Sequence, residues 1–165
     1  MKKSHLVHAT LCAILLMFIQ QTIYAEDVFN KQPTLLAYQN TFVFNPRTHS
    51  WSAINQHGKV IRAGRASGGR NYCPDIHRSC RTPTGTYTIV SKGGPECRSS
   101  RYPVGRGGAE MPYCMFFSHY YAIHGSYDVP PYNASHGCIR VFPSEARWLN
   151  HNFMKIGTRV IVKPY

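Results

Sequence analysis

Cysteines at positions 73, 80, 97, 114 and 138, after a first one at Cys12, constrain this chain more than any other feature. In an oxidising compartment four of them make two covalent staples, and an odd one left over flags a thiol with another job. Pairing by proximity joins Cys73 to Cys80 and Cys97 to Cys114, although four cysteines allow three connectivities. The rival reading of the first pair is a metal site from Cys73, His77 and Cys80. It has three ligands and no fourth, so the expectation is disulfides, no metal and no cofactor. Either way Cys138 is the residue left free.

This arithmetic depends on discarding Cys12. Lys2 and Lys3 precede an apolar run at 11–19, followed by a polar step down to Tyr24 and Ala25. That is the layout of a secretory signal peptide, with cleavage expected after Ala25. The apolar run is too short to span a bilayer comfortably, so no stable membrane insertion is expected after cleavage. The protein is therefore read as exported, to the periplasm or beyond. The full chain carries a formal charge of +12, and losing 1–25 removes two lysines and no acid, leaving +10. Such an excess favours anionic surroundings. The arginines are scattered, with no basic helix or zinc-finger spacing, which argues against nucleic acid.

Residues 26–35 read as a lead-in and 36–165 as one domain. Phe42-Val43-Phe44, Ser50–Ile54 and 59–65 are short strands separated by turn residues, an antiparallel meander. Residues 66–81, rich in Gly, Ser, Arg and Cys, read as a surface loop held by a disulfide. Thr82-Pro83-Thr84-Gly85 turns the chain into a strand at 86–90. Residues 91–111 carry five glycines and no apolar periodicity, so they read as a long loop, functional or disordered. Strands follow at 115–117, 120–123 and 138–142. Pro143 opens a helix at about 144–153 with Ala146, Leu149 and Phe153 as its buried stripe. A last strand runs over 158–163. The expectation is a mainly β domain, a sandwich or barrel-like fold with one short helix.

The chemistry concentrates between His124 and Arg140. A thiol attacks carbonyls well only as thiolate, so a nucleophilic cysteine needs a base or a positive field. Two imidazoles are at hand, His124 and His136. Gly137 lets backbone approach a reacting carbonyl without a side chain in the way, and the amides around Cys138 are candidates for an oxyanion hole. His49, His57, His119 and His151 are read as surface or structural. Tyr120, Tyr121 and Tyr132 are candidates for lining a groove, against the competing reading that aromatics on strands belong to a core.

His124-Gly125 followed by Ser135-His136-Gly137-Cys138-Ile139-Arg140 resembles the signature of the L,D-transpeptidase (YkuD) catalytic domain family. The Thr82–Gly85 turn and Gly157-Thr158 before a closing strand agree with it. The resemblance covers roughly 36–163, and extends to a short, exported, cysteine-containing branch sometimes labelled enhanced-entry proteins. It implies Cys138 as nucleophile and His124 as general base and acid, held by a backbone carbonyl near Gly125 or Ser126. It also implies that Ser135 and His136 shape the nucleophile loop and that Gly137 with the Cys138 amide forms the oxyanion hole. Arg140 would orient the loop or favour the thiolate, and Tyr121, Ser126 and Tyr132 would meet substrate. The implied substrates are peptidoglycan stem peptides, attacked at the third residue and resolved by an amine to give a 3→3 cross-link, or by water in a carboxypeptidase reaction. The segment between His124 and Ser135 is shorter than the family leads one to expect. The alternative of a different class is a secreted, basic, disulfide-stapled module binding wall or host glycans on the same scaffold.

Overall fold

The computed structural model describes residues 39–165. The expected leader and lead-in, and the expected domain start near Leu36, lie outside them. Among the described residues nine strands form two sheets, with one short α-helix.

The meander is the one the alternation predicts. In β1 (Thr41–Asn45) and β2 (Ser50–Ile54), Phe42, Phe44, Trp51 and Ala53 are buried, while the residues between them are half-exposed. A period of two sends alternate side chains to opposite faces, so one face is core and the other wet. Phe42 stacks on Trp51 with ring centroids 5.7 Å apart. β3 (Val60–Arg65) forms the open edge, and β9 (Arg159–Val162) joins β1 in parallel from the other side. β4 (Gly85–Thr88) closes the order β3-β2-β1-β9-β4.

The second sheet is smaller, in the order β5-β6-β7-β8, from β5 (Ser91–Lys92), β6 (Met115–Phe116), β7 (Ala122–Gly125) and β8 (Ile139–Val141). β5 lies in the stretch expected to be loop. It spans two residues, too short to leave a periodic signal. A single apolar cluster unites Phe42, Trp51 and Val160 of the first sheet, Met115, Ile123 and Ile139 of the second, and the helix. Each such side chain contributes roughly 1.5–3 kcal/mol when fully buried, more than a surface ion pair at about 0–1 kcal/mol. The layering therefore rests on this cluster.

The helix α1 (Pro143–Trp148) continues as a π-helical turn, Leu149–Phe153, closed by the Met154 amide on the Leu149 carbonyl at 2.8 Å. Ala146, Leu149 and Phe153 are its buried stripe, as the periodicity predicts. Among the described residues no helix is long and apolar enough to cross a membrane.

One segment departs from expectation. Residues 66–69 are buried rather than a surface loop, and they clamp the stretch around Cys138. Ser67 exchanges backbone hydrogen bonds with Arg140, while the Ser135 amide donates to Gly68 and the Arg70 amide to Ser135. Gly69 permits this approach: a Cβ there would lie 1.8 Å from the Cys80 carbonyl oxygen. The segment lacks periodic apolar residues because its partners are backbone groups distant in sequence.

Candidate active site

β7 and β8 run parallel, with Ile123 opposite Ile139 and His124 opposite Arg140. All four residues of β7 are buried. Ile123 joins the main core, so alternation sends Ala122 and His124 to the other face. That face carries a second apolar cluster of Met111, Cys114 and Ala122, against which Cys138 packs. Cys138 precedes β8 and shares the face of Arg140, which makes His124 its diagonal neighbour across the strand pair. Both line an open cleft of about 180 Å³.

His124 Nδ1 lies 2.9 Å from the Gly125 carbonyl oxygen. A carbonyl can only accept, so Nδ1 carries the proton and Nε2 presents a lone pair. Burial, reinforced by the positive charge of Arg140, lowers the pKa of His124 from 6.5 to about 4, against an opposing effect of the Gly125 carbonyl. Burial likewise pushes the Cys138 thiol up, partly offset by the Ala122 amide and by Arg140. Near neutrality the site thus holds a thiol and a neutral imidazole rather than a thiolate–imidazolium pair. Arg140 acts on the thiol in the expected direction, but desolvation outweighs it.

Cys138 is the free cysteine of the described residues, because Cys73 is bonded to Cys80 and Cys97 to Cys114. The metal reading through His77 gives way to these bridges. The thiol lies 3.8 Å from the Tyr120 carbonyl. Ser135 ties the loop together: its hydroxyl accepts from the Gly137 amide at 3.0 Å and donates to the Cys138 carbonyl at 2.5 Å. This corrects the expectation that the Gly137 amide serves an oxyanion, since that donor is already spent. Gly137 is needed for another reason. Its φ is +124°, and a Cβ there would meet the Tyr121 ring at 2.6 Å.

The remaining candidates divide. Ser126, Ser135, His136 and Arg140 line the cleft. His136 is turned outward to Asp75, with Nε2 2.8 Å from a carboxylate oxygen, and its ring lies 4.5 Å from that of Tyr102. Arg140 is ion-paired to Asp128 at 2.6 Å. Tyr121 stacks toward Phe117 and packs against the core, and it lines a second pocket beside the cleft rather than the cleft itself. Tyr132 is 60% exposed and absent from the cleft lining. Its backbone, not its ring, is what the fold uses, as acceptor for Ser67 Oγ at 2.7 Å.

Several cleft residues had no sequence signal. The loop closed by Cys97–Cys114 is ordered by backbone bonds between Ser99, Ala109 and Gly108 and between Met111 and Cys97. It places Arg98, Arg101 and Tyr102 along one wall. Arg101 lies 4.3 Å over the Tyr120 ring. His119, expected to be structural, also lines the cleft and meets Tyr120 edge-on at 4.1 Å. The cysteine spacing was the signal available for this wall; the identity of its side chains was not readable from it.

The model of the L,D-transpeptidase catalytic domain (YkuD) matches residues 39–162. Among solved structures, an L,D-transpeptidase from Xylanimonas cellulosilytica is similar at 27% identity and a TM-score of 0.66, over 86% of this chain and 69% of that one. One from Mycobacterium smegmatis matches at 22% identity and 0.62, over 76% of this chain and 59% of its own. L,D-transpeptidase 3 from Mycobacterium tuberculosis, solved with a faropenem-derived adduct, matches at 23% and 0.62, over 76% and 60%. At these lower identities the likeness shows the fold alone, and the chain spans under two thirds of those two proteins. No curated protein sequence matches. With the family model covering the described domain almost from end to end, the chain belongs to the L,D-transpeptidase (YkuD) catalytic domain family.

Proposed function

We propose that the protein is an exported L,D-transpeptidase acting on peptidoglycan stem peptides through a thioester on Cys138. The supporting observation is the pairing on one sheet face of a free thiol with an imidazole whose Nδ1 is committed to Gly125. His124 Nε2 takes the thiol proton as sulfur attacks the carbonyl of the third stem residue, so the thiolate forms only as it is used. The Cys138 amide, which no hydrogen bond of the loop claims, faces the developing oxyanion in this reading. The terminal D-alanine leaves with the proton from His124. An amine of a second stem then attacks the thioester, gives its proton to His124 and releases a 3→3 cross-link, and water in place of the amine gives a carboxypeptidase. Disulfides and an expected leader support an oxidising location outside the cytoplasm.

Intact-mass analysis after incubation with a carbapenem tests the nucleophile. Wild type gains one adduct and Cys138→Ala gains none. The same adduct on Cys138→Ala, or no adduct on wild type from either carbapenem or stem tetrapeptide, overturns the proposal.

A further inference from the structure

A second pocket, of about 150 Å³, adjoins the cleft, and Arg101, Tyr102, Tyr120 and His136 line both. Its remaining wall comes from Tyr121 and from the loop closed by Cys73–Cys80, including Arg78 and Ser79. Arg78 and Arg101 therefore line the pocket from two separately stapled loops, and no carboxylate lines it. The nearby acid, Asp75, is held by His136. The other arginines of the cleft are paired, Arg98 with Glu110 and Arg140 with Asp128. Arg78 and Arg101 have no acidic partner among the described residues. Arg101 is positioned by stacking over Tyr120, a contact that engages the face of a guanidinium and leaves its N–H edge to bind. Tyr120 also supplies the carbonyl 3.8 Å from the Cys138 sulfur. Arg101 thus stands one residue's contacts away from the attacking atom.

We infer that this pocket binds a free carboxylate of the peptide acylating Cys138, with Arg78 and Arg101 as its specificity-determining residues. The inference rests on the acyl-transfer reading for the identity of the peptide, but the binding itself does not require turnover. A planar carboxylate matches the guanidinium fork, and a pocket with two cations and no acid disfavours the neutral amide, which lacks both the charge and the second acceptor oxygen. Where the third residue is diaminopimelate, two of the peptide's carboxylates belong to the residues on either side of the bond broken, the terminal one and that on the third residue's side chain, and the pocket is assigned to one of these.

The test is calorimetric titration of the full Cys138→Ala chain, which cannot turn over, with a stem tetrapeptide and two forms of it, amidated at the terminal or at the side-chain carboxylate. One of the two amidations weakens binding about tenfold and so identifies the carboxylate. In Cys138→Ala carrying Arg78→Gln and Arg101→Gln, the free and amidated peptides bind alike. Both arginines are exposed, and a melting curve verifies that the variant keeps its fold. Equal binding of all three peptides to the parent, or an amidation penalty undiminished in the double variant, overturns the inference. D-Alanine release by the wild-type chain is read separately. Its absence counts against the acyl-transfer reading while leaving the carboxylate site to the titration.

Discussion

His124 Nδ1 and the carbonyl oxygen of Gly125 are 2.9 Å apart, a hydrogen bond from a ring to its own neighbour's backbone. It fixes the tautomer without any third side chain. A carboxylate in that place would raise the basicity of the ring; a carbonyl does so weakly, and burial with Arg140 nearby prevails. The imidazole is consequently neutral at rest, and so is the Cys138 thiol.

The pH dependence follows from that state. Acylation of Cys138 needs His124 unprotonated, so its rate falls only as the pH drops through about 4, not through the range of an ordinary histidine. Removing the positive charge with Arg140→Gln raises the pKa of His124 and moves this limb upward. Alkylation of Cys138 by iodoacetamide rises only at a pH above that of an ordinary thiol, because burial holds it protonated. A stopped-time intact-mass series across pH measures both. An acid limb near 6.5 would indicate a histidine that burial does not shift, and fast alkylation at neutrality a resting ion pair.

Stability carries the same signature. With a folded pKa of about 4 against an ordinary 6.5, the unfolded chain binds a proton at His124 that the native state refuses. Stability therefore falls as the pH drops from about 6.5 to about 4, by on the order of 3 kcal/mol from this one residue. Urea unfolding of wild type and His124→Asn at pH 7 and pH 4 isolates the effect. The variant should lose less on acidification by about that amount.

The parts legible in sequence were those with local patterns. Phe42 and Phe44 against Trp51 and Ala53 announced the meander, Ala146, Leu149 and Phe153 the helix, and proximity the two bridges. The Ser-His-Gly-Cys run singled out the loop that enters β8. What stayed hidden depends on pairs remote in sequence and without periodicity: Ser67 with Arg140, Asp75 with His136, Arg101 with Tyr120. Gly137 shows the limit in one residue. Its presence beside Cys138 was visible, but whether its amide faced substrate or Ser135 is a matter of loop conformation. Tyr121 and Tyr132 are near the motif in sequence, yet one packs on the core and lines the neighbouring pocket while the other points to solvent.

Gly137→Ala should be poorly tolerated for two separable reasons. Its φ of +124° is disfavoured for any residue with a Cβ, and that Cβ meets the Tyr121 ring. Such strain costs roughly 1–3 kcal/mol, a drop in Tm of about 3–10 °C for a domain of this size. Cys138 acylation should slow by more than the stability loss explains, because the loop carrying the sulfur shifts. Adding Tyr121→Ala removes the clash but not the backbone strain, so melting and carbapenem acylation should recover only in part. Full recovery would show that the ring contact alone demands glycine.

The Cys97–Cys114 bridge makes a prediction about the cleft rather than the nucleophile. It closes a loop with a sequence separation of 17, for which the cross-link contributes about 3 kcal/mol. The loop supplies Arg98, Arg101 and Tyr102 to the cleft wall, and Cys114 with Met111 packs beside Cys138. Cys97→Ser/Cys114→Ser should keep both sheets, since neither cysteine belongs to the main core. Binding of stem peptide should weaken severalfold as the wall loosens, whereas the intrinsic alkylation of Cys138 should quicken as its apolar cover is lost. The Cys73–Cys80 bridge is the control for alkylation alone, because it touches neither Met111 nor the thiol's cluster, although it holds the loop that carries Arg78. If removing Cys97–Cys114 changes neither peptide affinity nor alkylation rate, the stapled loop is not a wall of the site.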